Sequence, residues 1–166
     1  LLETGVPVVI ALNMSDMSEQ RGDQISRQKM EEYLEAPVVR TVGSKGEGIK
    51  ELLNAAIKEA VTLPHHEHSI GYGDKTEQVI ARLCDILTRD AALTKKYPAR
   101  WLATRLLEGD ENVQEKISGS SVKPDVDLFF KTIDTGEYEA AMADRRYDII
   151  AAILPQVCTT CVKEMN

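Results

Sequence analysis

No stretch of eighteen or more apolar residues occurs in this chain of 166 residues, so no part of it is expected to cross a membrane as a helix. No charged-then-apolar signal segment opens it either. Cysteine is scarce: three residues, an odd number, argue against a disulfide framework and for a reduced, cytosolic setting. Basic residues are outnumbered. Twenty Lys and Arg against 27 Asp and Glu give a formal net charge of −7, where a nucleic-acid surface needs a basic stripe, so no nucleic-acid partner is expected. Aromatic rings make up only 5% of the chain, which assigns Trp101, Phe129, Phe130, Tyr138 and Tyr147 to filling a core rather than to holding ligands. The phosphate-binding pattern Gly-x-x-x-x-Gly-Lys-Ser/Thr is absent, because Asp74 interrupts the superficial likeness in Gly71-Tyr72-Gly73-Asp74-Lys75-Thr76.

What is present begins with the run Val6-Pro7-Val8-Val9-Ile10-Ala11-Leu12, which ends abruptly in Asn13-Met14-Ser15-Asp16. A continuous apolar run of this kind reads as a fully buried strand of a parallel sheet. Ligands of such sheets bind just beyond the carboxyl ends of the strands, which is where Asn13 and Asp16 stand. A carboxylate can accept from N1–H and the exocyclic amine of guanine together, while an amide meets the O6/N7 edge. Adenine offers neither of those donors. A second apolar run, Pro37–Val42, leads into Gly43-Ser44-Lys45-Gly46-Glu47-Gly48 and then a helical pattern. The order strand, Asn-x-x-Asp, helix, strand, small-residue loop, helix is that of the last two guanine-contacting loops of GTPases. The plain alternatives are an ordinary turn after the first strand and a Gly-rich turn after the second.

With Met14 between Asn13 and Asp16, the chain resembles the FeoB-type ferrous iron transporters. Gly5–Leu12, Arg21-Gly22 and Lys45-Gly46-Glu47-Gly48-Ile49 are similar to that family in the same order. So are Arg100-Trp101-Leu102-Ala103, Leu106-Leu107-Glu108-Gly109-Asp110 and Ala143-Asp144-Arg145-Arg146-Tyr147, which match its helical domain. The resemblance implies a cytosolic GTPase domain, a helical domain that acts on it as a GDP-dissociation inhibitor, and a membrane-embedded ferrous iron permease in the same protein. It implies that Asn13 and Asp16 select guanine, that Met14 lies beside the base, and that Val42, Gly43 and Ser44 bring backbone N–H near O6. Val42-Gly43 replaces the usual Ser-Ala start of that loop, so its contribution is expected from backbone alone, with modest affinity and fast release.

The chain opens on Leu1 rather than Met and reaches its first strand with no partner strand before it, so it is expected to be part of a longer protein. The half with the phosphate loop, the Mg²⁺-binding switch residues and Asp-x-x-Gly would lie outside it. GTP or GDP, with Mg²⁺, is then expected in the parent, and none on this chain, which is expected to be inactive as a GTPase by itself. The expected fold class is α/β, a partial P-loop GTPase-like parallel sheet with helices, followed by an all-α helical bundle. Residues 1–63 would be the last part of the GTPase domain, 64–73 a linker, 74–157 the helical domain and 158–166 a tail toward the membrane domain. Expected location is the cytoplasmic face of a bacterial or archaeal membrane, with a homo-oligomer open. His65, His66 and His68 with Glu67 are a candidate set for a divalent metal, ferrous iron included, against the reading of a solvated linker. Cys158 and Cys161 have metal or redox spacing but supply two thiolates where zinc takes four ligands. Glu32 and Glu35 form an acidic pair of the sort common on solvated helices. Arg145-Arg146-Tyr147 would pair with local carboxylates and pack Tyr147 inside. Two other classes stay open: another small GTPase with a helical appendage, and a non-enzymatic helical adaptor.

Overall fold

The apolar run after Gly5 makes a much shorter strand than its length allows. In the computed structural model, which describes residues 2–62 and 70–159, only Ile10–Leu12 forms strand β1, paired in parallel with β2, Val38–Arg40. The register sets Ile10 opposite Val38 and Leu12 opposite Arg40. Strand extent is set by partners rather than hydropathy, and Pro7 has no N–H to give a ladder. The expectation of a fully buried strand is corrected accordingly: Val6 is 55% exposed and Ala11 is exposed.

The chain divides into two compact units, Leu1–His68 with Asp148–Asn166, and Ser69–Tyr147. In the first, β1 is followed by α1, Ser15–Arg21. It begins after Met14 and ends at Gly22, both left-handed. Helix α2, Arg27–Leu34, is capped by the Ser26 hydroxyl, which accepts from Lys29 N–H. Glu31 on α2 accepts the Val38 N–H at 3.0 Å and so occupies a donor of β2. Helix α3, Ile49–Val61, follows the second loop.

The second unit is helix on helix: α4, Asp74–Leu87; α5, Ala91–Thr94; α6, Ala99–Leu107; α7, Glu111–Ile117; α8, Lys123–Phe130; and the opening turns of α9, Thr135–Val157. Apolar residues of α4 at helical spacing, Val79, Ile80, Leu83 and Leu87, are buried with Leu102 and Leu106 of α6, Val113 and Ile117 of α7, Val126 of α8 and Met142 of α9. Asp90 and Asp110 cap α5 and α7 by accepting backbone N–H groups. Phe129 and Tyr138 are buried, and Trp101 and Phe130 pack on this core. Tyr147 does not: it is 73% exposed. Five residues beyond Met142 it has turned well away from the buried face of α9, which corrects its placement inside.

The three helical signatures meet in this unit. Arg100 forms a two-pronged pair with Glu77 at 2.7 and 2.8 Å and also donates to the Ile70 carbonyl. Glu77 accepts from Tyr72 N–H, Arg145 donates to the Gly71 carbonyl, and Arg146 pairs with Glu108 while lying over the Tyr72 ring. The hydrogen bonds from Arg100 hold the Glu77 carboxyl below its ordinary range. The segment 70–73 is thereby tied to the bundle by side chains from α4, α6 and α9.

The last turns of α9, from Asp148, group with the first unit. There the Val157 carbonyl accepts from Ser26 N–H, and Cys158 forms an antiparallel bridge with Ile25.

Candidate functional site

Parallel pairing of β1 and β2 puts the two loops that follow them side by side. Thr41 N–H donates to the Leu12 carbonyl and Ser15 N–H to the Thr41 carbonyl, so the ladder continues into the loops. The Ser15 hydroxyl turns back to the same Leu12 carbonyl at 2.7 Å. Met14 then crosses at φ 59, a left-handed conformation unusual for a side chain of this size, and is 56% exposed. The second loop is a 3-10 turn, Gly43–Lys45, closed where Val42 N–H donates to the Glu47 carbonyl.

Asn13 joins the two. Its Oδ1 accepts from Gly43 N–H at 3.1 Å and from the Thr41 hydroxyl at 3.3 Å. Fixing the amide oxygen in this way leaves the NH₂ as the group it can offer outward. Asp16, three residues on, uses Oδ1 to accept Met17 N–H at 3.0 Å and Oδ2 to accept the Lys45 ammonium at 2.7 Å. That hydrogen bond lowers the Asp16 carboxyl below its ordinary range and raises the Lys45 ammonium above its own. Asp16 is ionised and half-buried. Beside it lies a shallow cleft of about 200 Å³, lined by Ser15, Asp16, Glu19, Arg40, Thr41, Val42 and Glu47. Asn13, Met14 and Gly43 do not line this cleft, so it is not the space in which the two polar residues of the first loop converge.

Of the residues singled out in the sequence, Asn13, Asp16 and Gly43 are brought together, Ser44 is exposed on the same turn, and Val42 is buried. The Gly43 N–H expected near O6 is here donated to Asn13. Thr41 and Lys45 were given no role of their own. The one signal for Lys45 is that it is a cation in the second of two loops expected to meet the same base.

The metal candidates His65, His66, His68 and Cys161 lie outside the described residues. Among the described residues no three His, Cys, Asp or Glu are grouped as a cation site, and Cys158 is buried in its bridge to Ile25. Glu32 accepts from Gln28 on an exposed face of α2, and Glu35 ends that helix at φ 47.

Comparison with known proteins gives two family matches: the FeoB cytosolic helical domain over residues 72–159, and ferrous iron transport protein B over residues 1–56. The chain is 32% identical to an Fe(2+) transport protein A/Fe(2+) transporter FeoB fusion protein of Porphyromonas gingivalis, covering 100% of this chain and 21% of that protein. It thus spans about a fifth of the length of this relative, and 24% of the FeoB transporter of Staphylococcus aureus. Its fold superposes on the cytosolic domain of the T. maritima FeoB iron transporter in a GDP form, with a TM-score of 0.74, 23% identity, and coverage of 95% of this chain and 58% of that one. S. thermophilus NFeoB bound to mGMPPNP matches with a TM-score of 0.74, 25% identity, and coverage of 94% and 59%. A helical-domain match that spans more than half the chain, preceded by a match to the transporter's amino-terminal part, settles the kinship: this chain belongs to the FeoB family of ferrous iron transport proteins.

Proposed function

We propose that this chain carries the base-reading part of a guanine-nucleotide site together with the helical domain that governs how long the nucleotide stays. The observation that supports this most is the double tie of Asn13 Oδ1 to Gly43 N–H and the Thr41 hydroxyl, with Asp16 three residues away. With its oxygen held by the second loop, the Asn13 amide presents NH₂ to the N7/O6 edge of a base. The Asp16 carboxylate, kept ionised, accepts from N1–H and the exocyclic amine, and Met14 offers an exposed apolar side chain to the ring face. The phosphates and Mg²⁺ would be held by a segment of the parent that matches no pattern here, so this chain alone holds no GTP or GDP. In the parent, GTP hydrolysis would take place with that segment present, at the cytoplasmic face of the membrane. The helical unit would strengthen GDP binding and connect the site to the ferrous iron permease of the same protein.

The test is Asp16→Asn in a cytosolic domain extended to the length of its solved relatives. The substitution keeps the shape but turns one acceptor into a donor, which faces the guanine amine wrongly and pairs with the carbonyl xanthine carries there. Guanine binding should weaken by about 2–4 kcal/mol, roughly thirtyfold to several-hundredfold, while xanthine nucleotide binding rises. Unchanged preference for GDP over xanthosine diphosphate in the variant would remove Asn13–Asp16 from base recognition.

A further inference from the structure

Resting on the guanine reading of Asp16, a second feature of the loops bears on specificity. We propose that Lys45 is a specificity-determining residue of this site, a competitor built into the second loop whose ammonium occupies the Asp16 oxygen that the exocyclic amine of guanine needs. Three observations carry it. The Lys45 ammonium sits 2.7 Å from Asp16 Oδ2. The other oxygen, Oδ1, already accepts Met17 N–H at 3.0 Å, so both oxygens of the carboxylate have a donor before any base arrives. Lys45 also belongs to the same turn whose Gly43 N–H is tied to Asn13, so that turn engages both polar residues of the first loop.

Guanine and hypoxanthine differ at one place: guanine has the exocyclic amine, hypoxanthine has a hydrogen there. Both carry N1–H and the same O6/N7 edge. A carboxylate free of Lys45 would give the amine a charge-assisted bond and discriminate strongly between the two bases. A carboxylate partly neutralised and occupied by Lys45 gives that bond less, and reads chiefly N1–H. The site therefore distinguishes guanine from adenine but only weakly from hypoxanthine, and the base leaves more readily than Asn13 and Asp16 alone would allow. At 53% exposure Lys45 can swing into water, so its pairing is an equilibrium that the base shifts and not a permanent block.

The experiment measures the affinities of GDP and inosine diphosphate for the extended cytosolic domain, as wild type, Lys45→Met, Lys45→Arg and Asp16→Asn. The ratio of the GDP and inosine diphosphate affinities is the readout, and xanthosine diphosphate is measured beside them on wild type and Asp16→Asn. The diphosphates are identical, so any loss of attraction between the loop cation and the phosphates cancels in the ratio. Lys45→Met keeps the apolar stem and removes the charge; it should raise the preference for GDP over inosine diphosphate by about tenfold. Lys45→Arg should stay near wild type. A ratio unchanged or lowered in Lys45→Met overturns the proposal, since Lys45 would then be irrelevant to the amine or would help Asp16 read it. Asp16→Asn separates the two levels. If it moves preference from guanine to xanthine while Lys45→Met leaves the ratio alone, only the role of Lys45 falls. If Asp16→Asn leaves base preference untouched, the guanine reading falls and this inference with it.

Discussion

Gly48 shows how tightly one residue can govern the geometry around a site. Its φ is +76, and a Cβ built there would lie 2.1 Å from the Arg40 carbonyl oxygen in β2. The left-handed backbone and the close approach act together, because a side chain would have to push the strand that sets the second loop. Gly48→Ala should cost about 2–4 kcal/mol of stability, combining the left-handed penalty with overpacking. Gly46 is the control: its φ is +70 but a Cβ there meets nothing within 4 Å, so Gly46→Ala should cost only about 1 kcal/mol. Chemical denaturation of both variants checks this, and equal losses would show that contact with β2 is immaterial. At this scale the sequence was partly legible. Asn13 and Asp16 stood out because a polar pair follows an apolar run. Lys45 did not, since a lysine in a Gly-rich loop looks the same whether it faces water or a carboxylate in another loop. Tyr147 was misplaced for the opposite reason: scarcity of rings says that a core needs them, not which ones it takes.

Among the elements, α3 is the one whose surroundings contradict its composition. Its apolar pattern was plain in the sequence, yet Ile49, Leu53, Ile57 and Val61, each four residues apart, are 39%, 58%, 64% and 74% exposed. A row of large apolar residues on one helix face is a cohesive surface. The chain on its own is therefore expected to self-associate with rising concentration in sedimentation velocity, and Leu53→Glu with Ile57→Glu to return it to monomer. Association unchanged in the double variant would place the contact elsewhere. The short strands carry a related lesson. Hydropathy located β1 and β2 but overstated both, since ladder length depends on which residues have a partner across the sheet. Helix α1 has Met17 as its one apolar residue, and so polar a composition does not separate a solvated helix from a loop.

For the molecule as a whole, local patterns were enough to separate an α/β piece from a bundle, while the convergence of distant signatures was not visible in them. Arg100 and Glu108, at the two ends of α6, are far in the chain from Glu77 and from Arg145 and Arg146, yet all five form one network around residues 70–73. Matching motifs can locate such residues; only the fold shows that they share a target. The same applies to the two loops, whose adjacency depends on parallel pairing of β1 with β2. The central claim is that this adjacency makes a reader of guanine. Its most direct test is a nuclear magnetic resonance titration of the extended cytosolic domain, following the Asn13 side-chain NH₂ and the backbone amides of Asp16 and Gly43. Adding GDP should shift all three, and ADP at the same concentration should leave them in place. Equal shifts with ADP, or GDP-induced shifts that bypass Asn13 and Asp16, would contradict it.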